Sequence, residues 1–215
     1  MLDDVVHGLR IARWKPQKVV RRIRRWAGKL IPLRHDRPYY HDPERGVLGK
    51  KHAQNRLVAL QDLLADADGR TVLDLGCAEG LMTEKFLAAG ARHVTAFDIK
   101  PRRIATARRL MPTPRARFAV ADLGDWVAFE RSHQLLSGYD IVLFLGIYQH
   151  LPKASRAAAL RGAAERTLHR LALRAPAEML AEIDAILRSA GLKMVNEKRG
   201  FGLGVGRFRL YERAG

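Results

Sequence analysis

The sequence predicts an α/β fold with a doubly wound, mostly parallel sheet and a C-terminal antiparallel hairpin. Strand-like and helix-like segments alternate from about residue 52 onward, which is typical of parallel strands joined by right-handed helical crossovers. Residues 139–145 are nearly all apolar, as strands covered on both faces are. Residues 193–198 and 207–213 flank a glycine-rich connection, and we predict that they pair as the hairpin.

Each element has a local signal. Leu57, Leu60 and Leu64 have helical spacing, whereas residues 71–75 form a short apolar run that stops at a glycine. Gly90 follows a helical segment, in a position where helices often end. On this basis we predict strands at 71–75, 93–97, 117–121, 139–145 and 170–174. We predict helices at 52–65, 81–89, 102–110, 154–168 and 177–189.

The chain divides into an N-terminal extension, residues 1–50, and a main domain, residues 51–215. Prolines interrupt the extension, whereas the regular alternation begins after it. The formal net charge is +17, and residues 1–60 alone carry 15 Lys and Arg against 5 Asp and Glu. Such a basic field attracts polyanions, including nucleic acid and anionic lipid headgroups. A solvated basic face without a partner accounts for the charge equally well.

Residues 15–30 are predicted to form a basic amphipathic helix. Val19, Ile23, Trp26 and Leu30 form one apolar stripe, and arginines occupy much of the remaining surface. Three interpretations stay open: the stripe packs on the main domain, the helix lies on an anionic membrane, or it binds nucleic-acid phosphates. Packing on the domain is favoured, because an apolar helix stripe usually faces a core.

Several classes of protein do not suit the composition. No apolar run reaches the ~18 to 20 residues of a membrane-spanning helix, and the start of the chain does not resemble a secretory signal. The single cysteine, Cys77, excludes an intrachain disulfide and favours a reducing compartment. We therefore expect a cytoplasmic protein, and we predict no metal site.

The strongest local signal is the segment 72–80, which reads Val-Leu-Asp-Leu-Gly-Cys-Ala-Glu-Gly. A buried strand delivers the carboxylate of Asp74 and runs into a turn that contains Gly76, Ala78 and Gly80. Small residues let the backbone approach a ligand closely, and open α/β sheets bind ligands beyond the carboxyl ends of their strands. The turn alone does not distinguish among nucleotide-like ligands.

Two further acids follow the next two strands. Asp98 ends the second strand, where a carboxylate can accept hydrogen bonds from both hydroxyls of a ribose. Its neighbour Ile99 offers an apolar surface to a purine. Asp122 and Leu123 follow the third strand, where an acid can accept a hydrogen bond from an adenine amino group.

Together these motifs resemble those of the Rossmann-like, or class I, S-adenosylmethionine-dependent methyltransferases. The resemblance covers about residues 50–150 and rests on four motifs in order, the fourth being residues 139–152 around the end of the fourth strand. It implies that S-adenosylmethionine is the cofactor. The cofactor-binding residues that it implies are Asp74, Gly76, Cys77, Ala78, Gly80, Asp98, Ile99, Asp122, Leu123 and Gly146.

The chain departs from the family pattern in two places. Ala78 replaces the middle glycine of the first motif, and the usual Pro-Gly-Gly before the fifth strand is absent. The second departure leaves the C-terminal topology and the substrate wall open. A nicotinamide dinucleotide is the rival cofactor, but it favours glycine where this chain has Leu81 and gives no reason for Asp74 or Asp122.

Residues after the fourth strand are candidates for the acceptor end of the site. His150 is the candidate general base, because imidazole gains and loses a proton near neutral pH and the methyl position is expected nearby. The alternative is a histidine that only shapes the pocket. Tyr148 is a candidate for the pocket wall or for a core contact, and residues 39–41 are candidates for a lid or a surface loop.

The leading hypothesis is therefore a methyltransferase that acts on an oxygen or nitrogen atom of a small or anionic acceptor. The chain lacks the Asp/Asn-Pro-Pro-Tyr motif of enzymes that methylate adenine or glutamine amino groups. Phe144 and Leu145 stand where RNA ribose 2′-O-methyltransferases have a catalytic aspartate. Two alternatives remain: a nucleic-acid-binding protein without catalysis, and a membrane-associated methyltransferase of a lipid-linked acceptor. The sequence identifies neither the acceptor nor the oligomeric state.

Overall fold

The computed structural model describes residues 39–42, 47–48, 51–52, 54–199 and 206–214. All of them belong to a compact unit that spans residues 38–215. The basic helix that we predict at 15–30 and most of the glycine-rich connection before 207 lie outside the described residues.

The described part of the chain contains ten strands and six α-helices. The strands are β1 Tyr40–Asp42, β2 Val47–Leu48, β3 Lys51–His52, β4 Thr71–Leu75, β5 His93–Asp98, β6 Ala116–Val120, β7 Tyr139–Leu145, β8 Thr167–Ala175, β9 Leu192–Arg199 and β10 Arg207–Arg213. The helices are α1 Gln54–Ala65, α2 Leu81–Ala88, α3 Pro101–Leu110, α4 Trp126–Ser132, α5 Arg156–Glu165 and α6 Leu180–Ser189. None of these helices has both the length and the apolar character that crossing a bilayer requires.

The seven longer strands form one sheet with the order β6-β5-β4-β7-β8-β10-β9. β6, β5, β4, β7 and β8 run parallel, whereas β10 lies between β8 and β9 and is antiparallel to both. The predicted α/β fold with a C-terminal antiparallel hairpin is confirmed. The strand order reverses between β4 and β7, and open α/β sheets bind their ligands at such a switch point.

Buried apolar clusters lie on both faces of the sheet, so its central strands carry apolar residues toward both faces. In β4, Leu73 and Leu75 belong to one buried cluster with Phe97, whereas Val72 belongs to a second cluster with Phe86. Successive side chains of a strand point to opposite faces, so both clusters need apolar residues from the same strand. A slip of one residue would exchange the two faces, and the register of β4 is therefore strongly fixed.

Several helices differ from the predictions, and the predicted helix 177–189 begins with the 3₁₀ turn Ala177–Met179 before α6. The predicted helix 154–168 ends at Glu165, because the hydroxyl of Thr167 donates to the carbonyl of Ala163 at the helix end and β8 begins there. The predicted helix 52–65 begins only after β3. α4 has no counterpart among the predicted helices, although Asp125 caps it by accepting a hydrogen bond from the backbone nitrogen of Ala128 at 3.0 Å.

A small sheet with the order β2-β1-β3 precedes α1. Tyr39, just before β1, packs against the buried cluster that contains Phe86. Our division at residue 50 assigns Tyr39 to the extension, yet its side chain contacts the main domain. The division itself stays a prediction.

Candidate active site

A cavity of about 640 Å³ opens at the carboxyl ends of β4, β5, β6, β7 and β8. Its volume lies within the range of small-molecule sites in proteins, about 300 to 1,000 Å³. Nine of the ten residues predicted to bind the cofactor line this cavity, and His150 lines it as well. The structure therefore brings together motifs that are far apart in the sequence.

The loop after β4 forms the floor of the cavity. The backbone nitrogens of Gly76 and Cys77 both donate to the carbonyl oxygen of Phe97, each at 2.8 Å, which ties the loop to the end of β5. Gly76 has a φ of 80°, and a Cβ added there would lie 2.3 Å from Cγ2 of Ile147. A larger residue therefore does not fit between this loop and the turn after β7.

Ala78 departs from glycine at the point where the backbone is left-handed, with a φ of 50°. For a residue with a Cβ this conformation costs about 1 to 2 kcal/mol. The surrounding contacts maintain it, because the backbone nitrogen of Ala78 donates to Oδ2 of Asp98 at 3.0 Å. Strain of this kind concentrates at functional sites, where neighbouring structure holds the backbone in place.

Gly80 does not line the cavity, in contrast to the prediction. Its φ is 83°, and an added Cβ would lie 2.4 Å from Cε of Met111 and 3.2 Å from Cβ of Ala107. The left-handed backbone and the tight approach of Ala107 therefore both favour glycine where α2 begins against α3. Cys77 does line the cavity, but burial raises the pKa of its thiol, which agrees with a small buried residue rather than a nucleophile.

Asp74 is buried at the cavity wall, with 2% of its surface exposed. Its Oδ2 accepts a hydrogen bond from the hydroxyl of Thr83 at 2.8 Å. Burial raises the pKa of Asp74 from 3.8 to about 7; hydrogen bonds from Thr83 oppose this shift, and the charge of Asp98 adds to it. The Asp74 carboxyl therefore titrates near neutral pH.

Asp98 is held by backbone on both of its oxygens. Oδ2 accepts from the nitrogen of Ala78 at 3.0 Å, and Oδ1 accepts from the nitrogen of Lys100 at 2.8 Å. Nη1 of Arg103 lies 3.4 Å from Oδ2. Each carboxylate oxygen accepts more than one hydrogen bond, so acceptor capacity remains for ribose hydroxyls. Ribose binding by Asp98 stays a prediction that this geometry supports.

The predicted adenine end is made by Ile99, Asp122 and Leu123. Ile99 is 54% exposed although its side chain is large and apolar, and it lines the cavity. Oδ1 of Asp122 accepts a hydrogen bond from the nitrogen of Gly124 at 2.8 Å, which fixes the carboxylate at the end of β6. An apolar surface beside a fixed acceptor suits a flat ring that carries an amino group.

The turn after β7 brings polar groups of Gly146, Gln149 and His150 to the cavity wall. The nitrogen of Gly146 donates to the carbonyl of Arg174 at 2.8 Å, and the carbonyl of Gly146 accepts from Nε2 of Gln149 at 2.9 Å. The same Nε2 lies 3.3 Å from Nε2 of His150. His150 is exposed, so its ring reaches both the cavity and the solvent.

Tyr148 does not line the cavity, contrary to the pocket-wall role that we predict for it. Its ring is fully buried, and its hydroxyl donates to Oε1 of Glu182 at 2.7 Å. The guanidinium of Arg156 lies 5.1 Å from the ring centroid and pairs with Glu182. Burial raises the pKa of Tyr148 to about 12. Tyr148 thus anchors the turn that carries His150 to α5 and α6.

Four polar residues of the cavity wall are not among the predicted site residues: Lys100, Arg103, Gln149 and Arg174. Arg174 had a usable signal, because it ends the predicted strand 170–174 and ligands bind beyond the carboxyl ends of parallel strands. Arg103 had none, since neither spacing nor motif relates it to the loop after β4.

Comparisons with known proteins agree with the family resemblance found in the sequence. Residues 72–169 match the family model described as a methyltransferase domain, and this part of the chain is a methyltransferase domain. A ubiquinone biosynthesis O-methyltransferase from Bordetella avium (strain 197N) is 33% identical over 105 residues, which are 47% of this chain and 41% of the relative. The aligned part thus spans less than half of that relative.

Solved methyltransferase structures share the fold of this domain. Magnesium protoporphyrin IX methyltransferase from Synechocystis PCC 6803, solved with S-adenosylhomocysteine, has a TM-score of 0.62 at 20% identity, covering 93% of this chain and 100% of that one. N-methyltransferase NodS from Bradyrhizobium japonicum WM9, also with S-adenosylhomocysteine, has a TM-score of 0.62 at 17% identity, covering 74% and 86%. The fold is that of the class I methyltransferases, the family whose resemblance in sequence implies S-adenosylmethionine as the cofactor.

The residues of the methyltransferase domain fit this cofactor. The loop at Gly76 leaves no room for a side chain beside the cavity, so a ligand there meets backbone. Asp98 is a buried carboxylate acceptor on the wall, and Ile99 is an exposed apolar surface next to it. When bound, S-adenosylmethionine supplies a methyl group that its sulfonium makes electrophilic.

Replacing Asp98 with alanine should weaken the binding of S-adenosylhomocysteine by about 1 to 3 kcal/mol, because ribose hydroxyls lose their acceptor. Calorimetric titration of the full chain with S-adenosylhomocysteine measures this loss of affinity. Asp125→Ala is the matched control: it removes an exposed aspartate that caps α4 and does not line the cavity. Equal affinities of wild type and Asp98→Ala would contradict the ribose assignment.

Proposed function

We propose that this methyltransferase acts on an oxygen atom of a small acceptor that carries an anionic group. The observation that carries the proposal is the position of Arg174, whose side chain lines the same cavity as His150. One residue offers a permanent positive charge and the other a proton-accepting nitrogen. Both lie at the end of the cavity formed by β7 and β8, whereas Asp98 lies at the end of β5.

The fold holds Arg174 beside the turn after β7. Its carbonyl accepts the hydrogen bond from Gly146, and its guanidinium lies 3.8 Å from the point where a Cβ of Gly146 would be. The guanidinium thus packs against the backbone of Gly146, beside the turn that carries His150. A guanidinium binds carboxylate or phosphate through parallel hydrogen bonds, which orients the acceptor as well as attracting it.

His150 provides a destination for the acceptor proton. As the acceptor oxygen forms its bond to the methyl carbon, the carbon–sulfur bond breaks and the hydroxyl loses its proton. Nε2 of Gln149 lies 3.3 Å from Nε2 of His150, so the Gln149 side chain helps to orient the imidazole ring at the cavity wall. Because His150 is exposed, it returns the proton to solvent after each turnover.

One comparison and one chemical argument support oxygen as the acceptor atom. The relative from Bordetella avium carries the name of an O-methyltransferase and is 33% identical over the aligned part. A hydroxyl must lose its proton during transfer, so a histidine on the cavity wall suits an oxygen acceptor.

The test uses transfer of a labelled methyl group to paired acceptors, namely phenols with a carboxylate and their neutral amides. Wild type should prefer the carboxylates, and Arg174→Gln should raise KM for them about 10- to 100-fold, because one charge-assisted contact is lost. KM for S-adenosylmethionine should not change. Arg188→Gln, which alters an exposed arginine on α6, is the control. A preference for the amides, or equal KM values in Arg174→Gln and wild type, would overturn the proposal.

A further inference from the structure

The loop after β4 carries a buried acid whose function the site described above does not explain. Glu79 is only 4% exposed, although it follows Ala78 in a loop that borders the cavity. A buried carboxylate is costly unless charged or hydrogen-bonding partners compensate it. Two such partners are present: the backbone nitrogen of Tyr39 donates to Oε1 at 2.9 Å, and Nε of Arg103 lies 3.6 Å from the same oxygen.

Arg103 joins this buried acid to Asp98. Its Nη1 lies 3.4 Å from Oδ2 of Asp98, while its Nε lies 3.6 Å from Oε1 of Glu79. One guanidinium on α3 therefore spans a carboxylate at the end of β5 and a carboxylate in the loop after β4. A guanidinium can serve two acceptors at once because its donors lie in a rigid, planar fork.

The same guanidinium contacts the segment before β1. It lies over the ring of Tyr39, 5.5 Å from the ring centroid, in the range of a cation–π interaction. Tyr39 is thus held by its backbone through Glu79 and by its ring through Arg103. Tyr39, Asp98 and Arg103 all line the cavity, so the bridge forms part of the wall.

Asp98 is consequently positioned from two sides. The nitrogens of Ala78 and Lys100 hold its two oxygens from the backbone, and Arg103 approaches Oδ2 from α3. Oδ2 is also the oxygen that maintains the left-handed backbone at Ala78. A shift of this carboxylate would therefore alter both the ribose acceptor and the loop beneath the cofactor.

We propose that Arg103 is a positioning residue for the cofactor, which holds the carboxylates of Asp98 and Glu79 in register and fixes Tyr39 as a wall of the ribose end. The inference rests on the use of S-adenosylmethionine but not on the nature of the acceptor. It separates Arg103 from Arg174: the first sets cofactor affinity and the second sets acceptor affinity.

The test measures binding of S-adenosylhomocysteine and S-adenosylmethionine to the full chain by calorimetry, so that no acceptor is needed. Arg103→Gln should weaken binding of S-adenosylhomocysteine about 5- to 30-fold, since one charged contact to Asp98 is lost. Arg103→Lys should lose less, because an ammonium keeps the charge but cannot span both carboxylates. Arg109→Gln, an exposed arginine on the same helix, is the control and should bind as wild type does.

A comparison of the two ligands distinguishes positioning by Arg103 from a simple effect of its charge. S-adenosylmethionine carries a sulfonium charge that S-adenosylhomocysteine lacks, so removal of a nearby cation should favour the sulfonium if Arg103 acts only through its field. Positioning instead predicts weaker binding of both ligands in Arg103→Gln. Tighter binding of S-adenosylmethionine by this variant would overturn the proposal.

A double-mutant cycle tests whether Arg103 acts through Asp98. In an Asp98→Asn background, Arg103→Gln should change the affinity for S-adenosylhomocysteine by about 2-fold or less, because residues in contact are not additive. A full loss in that background would overturn the proposal. If Arg103→Gln does not fold, the affinities of Arg103→Lys and Glu79→Gln for S-adenosylhomocysteine test the proposal instead. Weaker binding by both supports the bridge, and wild-type affinity in either one overturns it.

Discussion

Replacing Asp74 with asparagine should stabilise the cofactor-free protein at pH 8 by about 2 to 4 kcal/mol, because each unit of pKa shift corresponds to about 1.4 kcal/mol. Burial raises the pKa of the Asp74 carboxyl from 3.8 to about 7 in the folded protein. In the unfolded chain the carboxyl ionises near its ordinary pKa. Between these two values the folded state therefore binds the proton that the unfolded state has already lost.

The sign of the pH dependence follows from this difference. The contribution of Asp74 to stability is fully present below about pH 4 and is lost as the pH rises through about 7. Asparagine keeps an oxygen that can accept the hydrogen bond from Thr83, but it has no charge to bury. The advantage of the variant should therefore be partial at pH 5, which lies between the two pKa values, and full at pH 8.

Urea unfolding at pH 5 and pH 8 measures the effect as the difference between variant and wild type. Asp125→Asn serves as a control, because Asp125 is exposed and asparagine is also a good N-cap residue. The free energy of unfolding of this control should be close to that of wild type at both pH values. A stability difference for Asp74→Asn that does not grow between pH 5 and pH 8 would show that the carboxyl does not titrate in this range.

The sequence predicts the parts of this fold that depend on local pattern. The strands Thr71–Leu75 and Tyr139–Leu145 have the predicted bounds, because each is a short apolar run that both faces of the sheet require. The acids at 74, 98 and 122 meet at one cavity because parallel strands place their carboxyl ends on one edge. Local pattern and sheet topology together therefore suffice for most of the cofactor site.

The remaining parts depend on contacts that no local pattern records. The bond between Tyr39 and Glu79 spans 40 positions, and Arg103 reaches Asp98 only because α3 presents it in that register. Likewise, the sequence predicts Tyr148 at the cavity wall. The short 3₁₀ turn Tyr148–His150 instead buries the tyrosine ring and leaves the histidine exposed. The conformation of this turn decides that His150 rather than Tyr148 reaches the cavity, and no local sequence pattern predicts that conformation.

His150→Ala should lower kcat by about 10² to 10⁴, because transfer to a hydroxyl then lacks a base. The KM for S-adenosylmethionine should stay at its wild-type value, since His150 is not among the predicted contacts of the cofactor. Steady-state kinetics with a saturating hydroxyl acceptor measures both quantities. The rate of the variant should also rise with pH, because an acceptor that ionises in solution no longer needs the histidine.

Two further variants decide between a base and a residue that only shapes the cavity. His150→Asn keeps a polar side chain but has no basic nitrogen, so a base requires it to be nearly as slow as His150→Ala, whereas a shaping role requires it to retain most activity. His169→Ala is the matched control: His169 is partly exposed and lies 3.8 Å from Asp66. It precedes Arg174 by five residues on β8 and does not line the cavity, so its loss should leave kcat unchanged. Full activity in a folded His150→Ala protein would remove His150 from the mechanism and leave the acceptor oxygen to lose its proton directly to solvent.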